Sequence, residues 1–168
     1  MIFVTVGTHE QPFDRLIKKV DELKRDGVIA EDVIMQIGFS TYQPQYCEYQ
    51  KLFPYDEMQE LVKDAHIVIT HGGPSSFIMP LQLGKIPIVI PREYQYGEHV
   101  NDHQVEFSKA VNERYGNLIV ITDVDQLGDA IRHYDETVSY MTASALNNNE
   151  RFCERLDQIV NDLMKEKK

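Results

Sequence analysis

Thr70-His71-Gly72-Gly73-Pro74-Ser75-Ser76 directly follows the apolar run His66-Ile67-Val68-Ile69, and this junction decides how the chain folds. A short β-branched run that breaks into glycines and then opens a helix is the strand–turn–helix step of an α/β protein. Two glycines let the backbone turn sharply and approach a ligand without a Cβ in the way. The two serines fall where a helix begins, where backbone amides lack intrahelical acceptors. Such a helix start attracts an anion through its free N–H groups and its dipole, and a nucleoside diphosphate is a natural guest. The competing reading is an ordinary tight turn in which Gly72, Gly73 and Pro74 supply geometry and Ser75 is only a cap.

The same alternation extends in both directions. Apolar runs predict strands at Ile2–Val6, Val33–Ile37, Glu48–Phe53, Ile67–Thr70, Ile86–Ile90 and Leu118–Ile121. Between them, helical spacing places Phe13, Leu16, Ile17, Val20 and Leu23 on one face, with Pro12 suited to the first turn. Further helices are predicted over Asp56–Asp64, Ser75–Leu83 and Val100–Arg114, and from a cap at Asp123 or Asp125 to about His133. A tail helix over about 137–165 carries Phe152, Leu156, Ile159 and Leu163 on one stripe. About six strands alternating with helices predict a Rossmann-like, doubly wound α/β domain with a mostly parallel sheet covered on both faces. The chain of 168 residues is read as a single domain, 1–168.

In such sheets ligands bind beyond the carboxyl ends of the strands, and the unusual residues gather there. Gly7-Thr8-His9 ends the first strand, Gln36-Ile37-Gly38 the second, Phe53-Pro54-Tyr55 the third, the glycine turn the fourth and Pro91-Arg92 the fifth. Asn101-Asp102-His103-Gln104 opens the next helix on the same edge.

Each group carries more than one reading. Gly7-Thr8-His9-Glu10 has neither the three-glycine dinucleotide fingerprint nor the Gly-Lys-Ser/Thr ending of a phosphate loop; it reads as a phosphate-facing turn or a plain strand exit. His99 and His103, four apart, would share a helical face and bind metal with a third ligand such as His71, but no His-Glu-x-x-His signature is present. The alternatives for that segment are polar capping and recognition of sugar hydroxyls, which Asn, Asp and Gln serve as paired donors and acceptors. Phe53 and Tyr55 either border a planar base or belong to the core. Arg92 is a phosphate or carboxylate partner, or part of a surface ion pair.

Composition narrows the partners. The formal net charge of −10 opposes a nucleic-acid ligand and direct adsorption to anionic lipid, and the short basic end Lys165-Glu166-Lys167-Lys168 is too small to reverse it. The N-terminal residues read as a first strand rather than a leader peptide, and no apolar run is long enough to cross a membrane. Cys47 and Cys153 lack metal-ligand spacing and read as reduced thiols of a cytoplasmic protein.

Taken in order, Val4-Thr5-Val6-Gly7-Thr8, Pro12-Phe13-Asp14-Arg15-Leu16, Gln36-Ile37-Gly38, Phe53, His71-Gly72-Gly73, Gly84-Lys85-Ile86-Pro87, Pro91-Arg92 and Asn101-Asp102-His103-Gln104 resemble the family 28 glycosyltransferase C-terminal domain, the nucleotide-sugar-binding half of a GT-B enzyme. The likeness spans nearly the whole chain and is strongest to short bacterial members of capsule and exopolysaccharide clusters. It implies that the chain is the UDP-sugar-binding subunit of a split, inverting hexosyltransferase acting on a polyprenyl-diphosphate-linked acceptor. A membrane-associated acceptor-binding subunit would supply the general base and hold the complex at the inner face of the cell membrane. A non-catalytic enhancer subunit is the alternative.

By that resemblance Gly7, Thr8 and the turn His71, Gly72, Gly73, Pro74, Ser75 and Ser76 face the diphosphate; His9 is read as a phosphate or acceptor contact rather than the base, and Arg92 is counted with the donor-binding residues. Gly38, Phe53 and Tyr55 border the uracil, and Asn101, Asp102, His103 and Gln104 reach the sugar. No resident metal or cofactor is expected beyond the donor substrate. One position departs from the family pattern: the glutamate that holds the ribose hydroxyls, six residues after the second glycine, is here Met79.

Overall fold

The computed structural model describes residues 1–141. Six parallel strands, β1 (Ile2–Thr5), β2 (Val33–Gln36), β3 (Glu48–Gln50), β4 (Ile67–His71), β5 (Ile88–Ile90) and β6 (Ile119–Val120), form one sheet in the order β3-β2-β1-β4-β5-β6. The strand order therefore reverses between β1 and β4, where Ile2 pairs with Ile67 and Thr5 with Thr70. In a sheet of this order the crevice at the reversal, beyond the carboxyl ends of those two strands, is the site for a ligand.

The strands are apolar on both faces because helices cover both. Ile2 and Val4 pack with Phe13, Leu16, Ile17 and Val20 around α1 (Asp14–Arg25). Phe3 and Val68 point the other way, onto Val62 and Ala65 around α2 (Tyr55–Asp64). On that second face Phe77 of α3 (Pro74–Gln82) packs with Val89 and Leu118. The edge strand β3 is exposed at all three residues. The remaining helices are α4 (His103–Tyr115), α5 (Leu127–Arg132) and α6 (Tyr134–Tyr140). The tail helix expected over about 137–165 falls mainly outside the described residues.

Local polar chemistry moves several expected boundaries. The fourth helix starts at His103 rather than Val100, because the Asn101 side chain accepts the His103 N–H at 3.1 Å and Asp102 accepts the Tyr94 N–H at 2.8 Å. The third strand stops at Gln50, and the Phe53 N–H donates to the Gln36 side chain at 3.0 Å before Pro54 opens α2. Pro12 precedes α1, whose N-cap is Phe13.

The loops above the sheet are held by a buried ionic group. Arg92 is 0% exposed. Its guanidinium donates to the carbonyls of Gln11 at 2.8 Å, Glu98 at 3.1 Å and Val6 at 2.9 Å, and lies over the Phe13 ring. Burial draws its pKa down to about 10, so it stays charged at neutral pH. Beside it, Arg15 makes a two-pronged bond to the buried Glu98 carboxylate, both contacts at 2.9 Å, and caps the Thr122 and Pro91 carbonyls. Asp14 meanwhile accepts the Thr41 and Tyr42 amides. The stretch Pro12-Phe13-Asp14-Arg15 thus ties three loops to the first helix.

Replacing Arg92 leaves several carbonyls and the charge balance of this group unmatched, which costs on the order of 3 kcal/mol. Arg92→Met is expected to lower the denaturant midpoint by that amount, and unchanged unfolding would show that the guanidinium does not hold the loops.

Candidate functional site

A cleft of about 630 Å³ opens at the β1/β4 reversal. Its polar end is made by Thr5, Gly7, Thr8 and His9 after β1, Gln36 from β2, His71 from β4, Ser75 and Ser76 from α3, and Gln104 from α4. Its other end is a trough between two helices. Tyr55, Met58 and Val62 line one side at helical spacing on α2, and Ile78, Met79 and Gln82 continue the Ser75 face of α3.

His71 sits at the centre of the polar end. Its ring is buried and fills the space on either side where a side chain would stand. A Cβ on Gly7, which has φ +73°, would lie 2.4 Å from His71 Nε2, and one on Gly73 would lie 2.2 Å from Cε1. These two glycines therefore make room for an imidazole, and the turn is shaped around His71 rather than bared to a ligand. Gly72 is closed off as well, against Gln104 and Pro91. Gly38 lies behind Gly7, where a Cβ would meet the Gly7 carbonyl at 2.7 Å.

Hydrogen bonds set the tautomer of that ring. The Gly73 N–H donates to Nδ1 at 3.0 Å, so Nδ1 carries the lone pair. Nε2 then carries the hydrogen and donates to Ser76 Oγ at 2.6 Å. The Gln104 Oε1 atom, 3.4 Å from Nδ1, is instead engaged by the Arg92 N–H at 3.2 Å. Burial, then the nearby Arg92 charge, lowers the His71 pKa to about 4, so the ring is neutral at pH 7. With its oxygen occupied as an acceptor, the Ser76 hydroxyl is left to donate its hydrogen elsewhere.

The helix start differs in detail from expectation. Gly73, not Ser75, is the N-cap, and Pro74 is the first helical residue and brings no N–H. The Ser76 N–H reaches back to the Gly73 carbonyl at 3.0 Å. The Ser75 N–H, in the first turn, has no intrahelical acceptor and adds a donor to the Ser76 hydroxyl at the cleft.

Thr5 and Gln36 form the floor; both fall in the motifs quoted from the sequence, but neither is given a role in the site there. The Thr5 hydroxyl accepts from the Gly7 N–H at 3.2 Å and from Gln36 Nε2 at 3.0 Å. Their signal was available: both are polar residues at the carboxyl ends of apolar strands.

His9 stands at the lip, its ring 4.8 Å from that of His99 in an edge contact. The Gln11 N–H donates to His9 Nδ1 at 3.3 Å, so Nε2 carries a hydrogen and His9 is a donor. Burial, with Arg92 and His99, lowers its pKa.

Of the other expected residues, Tyr55 and Gln104 line the cleft. Phe53 packs edge-on against Phe3, with 6.1 Å between ring centres, and belongs to the core cluster. Pro74 is exposed at the helix start. Arg92 neither reaches the cleft nor joins a surface pair; its guanidinium is spent on the loop carbonyls. Asn101, Asp102 and His103 are exposed and serve the start of α4, with His103 stacked on Phe107.

Metal binding finds no support in the geometry. Because α4 begins at His103, His99 lies on the loop before it and the two share no helical face. Among the described residues no cluster of three His, Cys, Asp or Glu side chains is placed to hold an ion. The Asp-x-Asp spacing Asp123-Val124-Asp125 is a turn in which Asp123 accepts the Asp125 N–H and Asp125 pairs with Lys19. Cys47 is a free thiol pushed by burial up to about 12, which makes it a poor nucleophile.

The buried, neutral His71 makes stability depend on acid. An unfolded histidine takes up a proton near pH 6.5, whereas the folded one resists until about 4. The stabilisation is therefore full above pH 6.5 and is lost as pH falls toward 4, by roughly 3 kcal/mol. His71→Asn, which keeps an acceptor for the Gly73 N–H, is expected to flatten that slope in urea titrations between pH 7 and 4. An unaltered slope would place its origin elsewhere.

Comparison with known proteins places this geometry. The model of the glycosyltransferase family 28 C-terminal domain matches residues 1–167. The UDP-N-acetylglucosamine transferase subunit ALG13 of Homo sapiens is 32% identical over 130 residues, covering 72% of this chain and 11% of that protein. The subunit of the same name from Yarrowia lipolytica is 28% identical over 144 residues, covering 76% of this chain and 68% of that protein. The chain thus spans about a tenth of the human relative's length and about two thirds of the yeast one's. Among solved structures, the calicheamicin glycosyltransferase CalG4 superposes with a TM-score of 0.61 at 13% identity, over 96% of this chain and 43% of that one. The spinosyn forosaminyltransferase SpnP gives 0.61 at 14% identity, over 95% and 43%. The fold is that of one GT-B half, and the chain belongs to the glycosyltransferase family 28 C-terminal domain family.

Proposed function

We propose that the chain is the donor-binding subunit of a split inverting glycosyltransferase, and that the cleft at the β1/β4 reversal holds a UDP-sugar. The observation that carries this reading is the α3 start, where Ser75, whose N–H has no intrahelical acceptor, and Ser76 line the polar end of a cleft of about 630 Å³. That volume suits a nucleotide. The relatives named as transferase subunits support a chain that works within a complex.

In this reading the diphosphate sits at the first turn of α3, against the helix dipole and the Ser75 and Ser76 donors, with Thr8 and the His9 Nε2–H at the lip. As the glycosidic bond breaks, negative charge grows on the departing diphosphate. Donors already aimed at that place stabilise it without reorganising. The sugar then projects toward Gln104, and the nucleoside lies along the trough between α2 and α3. His9 bears its hydrogen toward the cleft and so acts as a donor rather than as the base. The base that activates the acceptor hydroxyl belongs to the partner subunit, which also brings a polyprenyl-diphosphate-linked acceptor of the capsule or exopolysaccharide type to the inner face of the membrane. Among the described residues no helix is long and apolar enough to cross a membrane. The donors around the diphosphate make a divalent ion unnecessary, so transfer by the complex is expected to survive chelation.

Calorimetric titration of the folded chain with UDP is expected to show saturable binding. Ser76→Ala should weaken it about tenfold through loss of one donor to a charged oxygen, and Ile78→Trp, which fills the trough, should remove it. Binding that is insensitive to both changes would move the donor elsewhere.

A further inference from the structure

The cleft has an unusual chemical property for a nucleotide site: among the described residues that line it there is no Asp, Glu, Lys or Arg. Resting on the donor-site reading above, we propose that it does not read the pentose 2′-hydroxyl and takes a 2′-deoxyribonucleoside diphosphate about as readily as the ribo form.

The argument follows the rise of α3. A phosphate seated at Ser75 and Ser76 places the pentose, joined to it through C5′, about one turn further along the trough. At about 1.5 Å per residue, Met79 stands roughly 4.5 Å beyond Ser76 along the axis, and Gln82 roughly 9 Å. The pentose therefore meets Ile78 and Met79 on α3 and Met58 on α2. An isoleucine offers a hydroxyl nothing, and a thioether is only a weak acceptor. Gln82 lies a further turn along, and the Tyr55 hydroxyl on α2 stands open to solvent and accepts from Gln59 Nε2 at 3.2 Å.

The acceptor atoms nearer by are already engaged. Gln36 spends its amide on Thr5 and its carbonyl on the Phe53 N–H. Both His71 nitrogens are bonded, and Gln104 Oε1 holds the Arg92 N–H. Thr8, His9, Ser75 and Ser76 stand at the phosphate end. Among the described residues a 2′-hydroxyl in the trough finds no charged partner, and with Tyr55 and Ile78 open to solvent it keeps its water, so the ribo form gains nothing over the deoxy form. A site with a built partner for the hydroxyl behaves oppositely, rejecting the deoxy analogue strongly because its own polar group is stranded.

The test is calorimetric titration of the full chain with UDP and 2′-deoxy-UDP, which share base and phosphates. A deoxy Kd no more than about threefold above the ribo value is the expected result. A deoxy ligand weakened about tenfold or more, the loss expected from one hydrogen bond to a charged partner, overturns the inference and leaves the donor site standing. Failure of both nucleotides to bind the folded chain overturns the donor-site reading, and the inference with it. Met79→Glu, close to isosteric, places a carboxylate beside the pentose and is expected to shift the ratio at least about tenfold toward UDP, while Met79→Leu leaves it unchanged. A folded Met79→Glu chain with an unshifted ratio would show that the pentose does not lie at Met79.

Discussion

The His71 ring, wedged between Gly7 and Gly73, is the contact on which the site depends. One imidazole joins the ends of the two strands at which the sheet order reverses. It also fixes the backbone of the helix start, through the Gly73 N–H, and hands the Ser76 hydroxyl a fixed role through Nε2. A ring can do this only if it is neutral and its neighbours lack side chains. Burial secures the first condition and the two glycines the second. The glycines of this turn and the glycine after β1 are thus parts of one steric arrangement, although they lie more than sixty residues apart in sequence.

That arrangement separates two things a glycine-rich turn can mean. The reading from sequence took the missing side chains as room for a ligand. Around His71 the room is taken by protein, and the residues of this turn that are left to line the cleft are the next ones along, Ser75 and Ser76. Gly72 and Gly38 follow the same rule, each closed against a neighbouring chain segment. Close approach of backbone to side chain, as well as backbone to ligand, selects glycine, and only three-dimensional contacts tell the two apart.

The fold was legible because its signal is local and repeated. β-branched runs alternating with helical periodicity gave six strands and a doubly wound sheet, and the boundaries missed were those set by side-chain hydrogen bonds. Asn101 and Asp102 hold α4 to a later start, and no periodicity in the apolar residues reports on such a bond. The cleft was legible at Gly7-Thr8-His9, Tyr55, Ser75-Ser76 and Gln104, residues of the carboxyl edge. Arg92 was not. An arginine after a strand-ending proline reads as a ligand partner from sequence, and its burial depends on carbonyls from Val6, Gln11 and Glu98 that sequence does not bring together. Thr5 and Gln36 were hidden for the opposite reason, since polar residues inside apolar strands look like tolerated core positions.

The buried charges explain how so acidic a chain can present a cleft fit for an anion. Arg92 and Arg15 stand with Glu93 and Glu98 in one cluster above the sheet, two cations against two carboxylates, and the Arg92 charge still reaches the cleft, where after burial it helps lower the pKa of His71 and His9. At contact range the groups the cleft presents to an anion are amide and hydroxyl hydrogens and the end of a helix dipole, whose influence fades within about a turn. Free cations at the mouth would bind any polyanion and would do so in a salt-dependent way. Fixed dipoles instead reward only a ligand whose charged oxygens sit at hydrogen-bond distance, with the rest of its body fitted to the trough between α2 and α3. On the donor-site reading, selectivity comes from geometry along α3, and the net charge of −10 works with it by holding off polyanions.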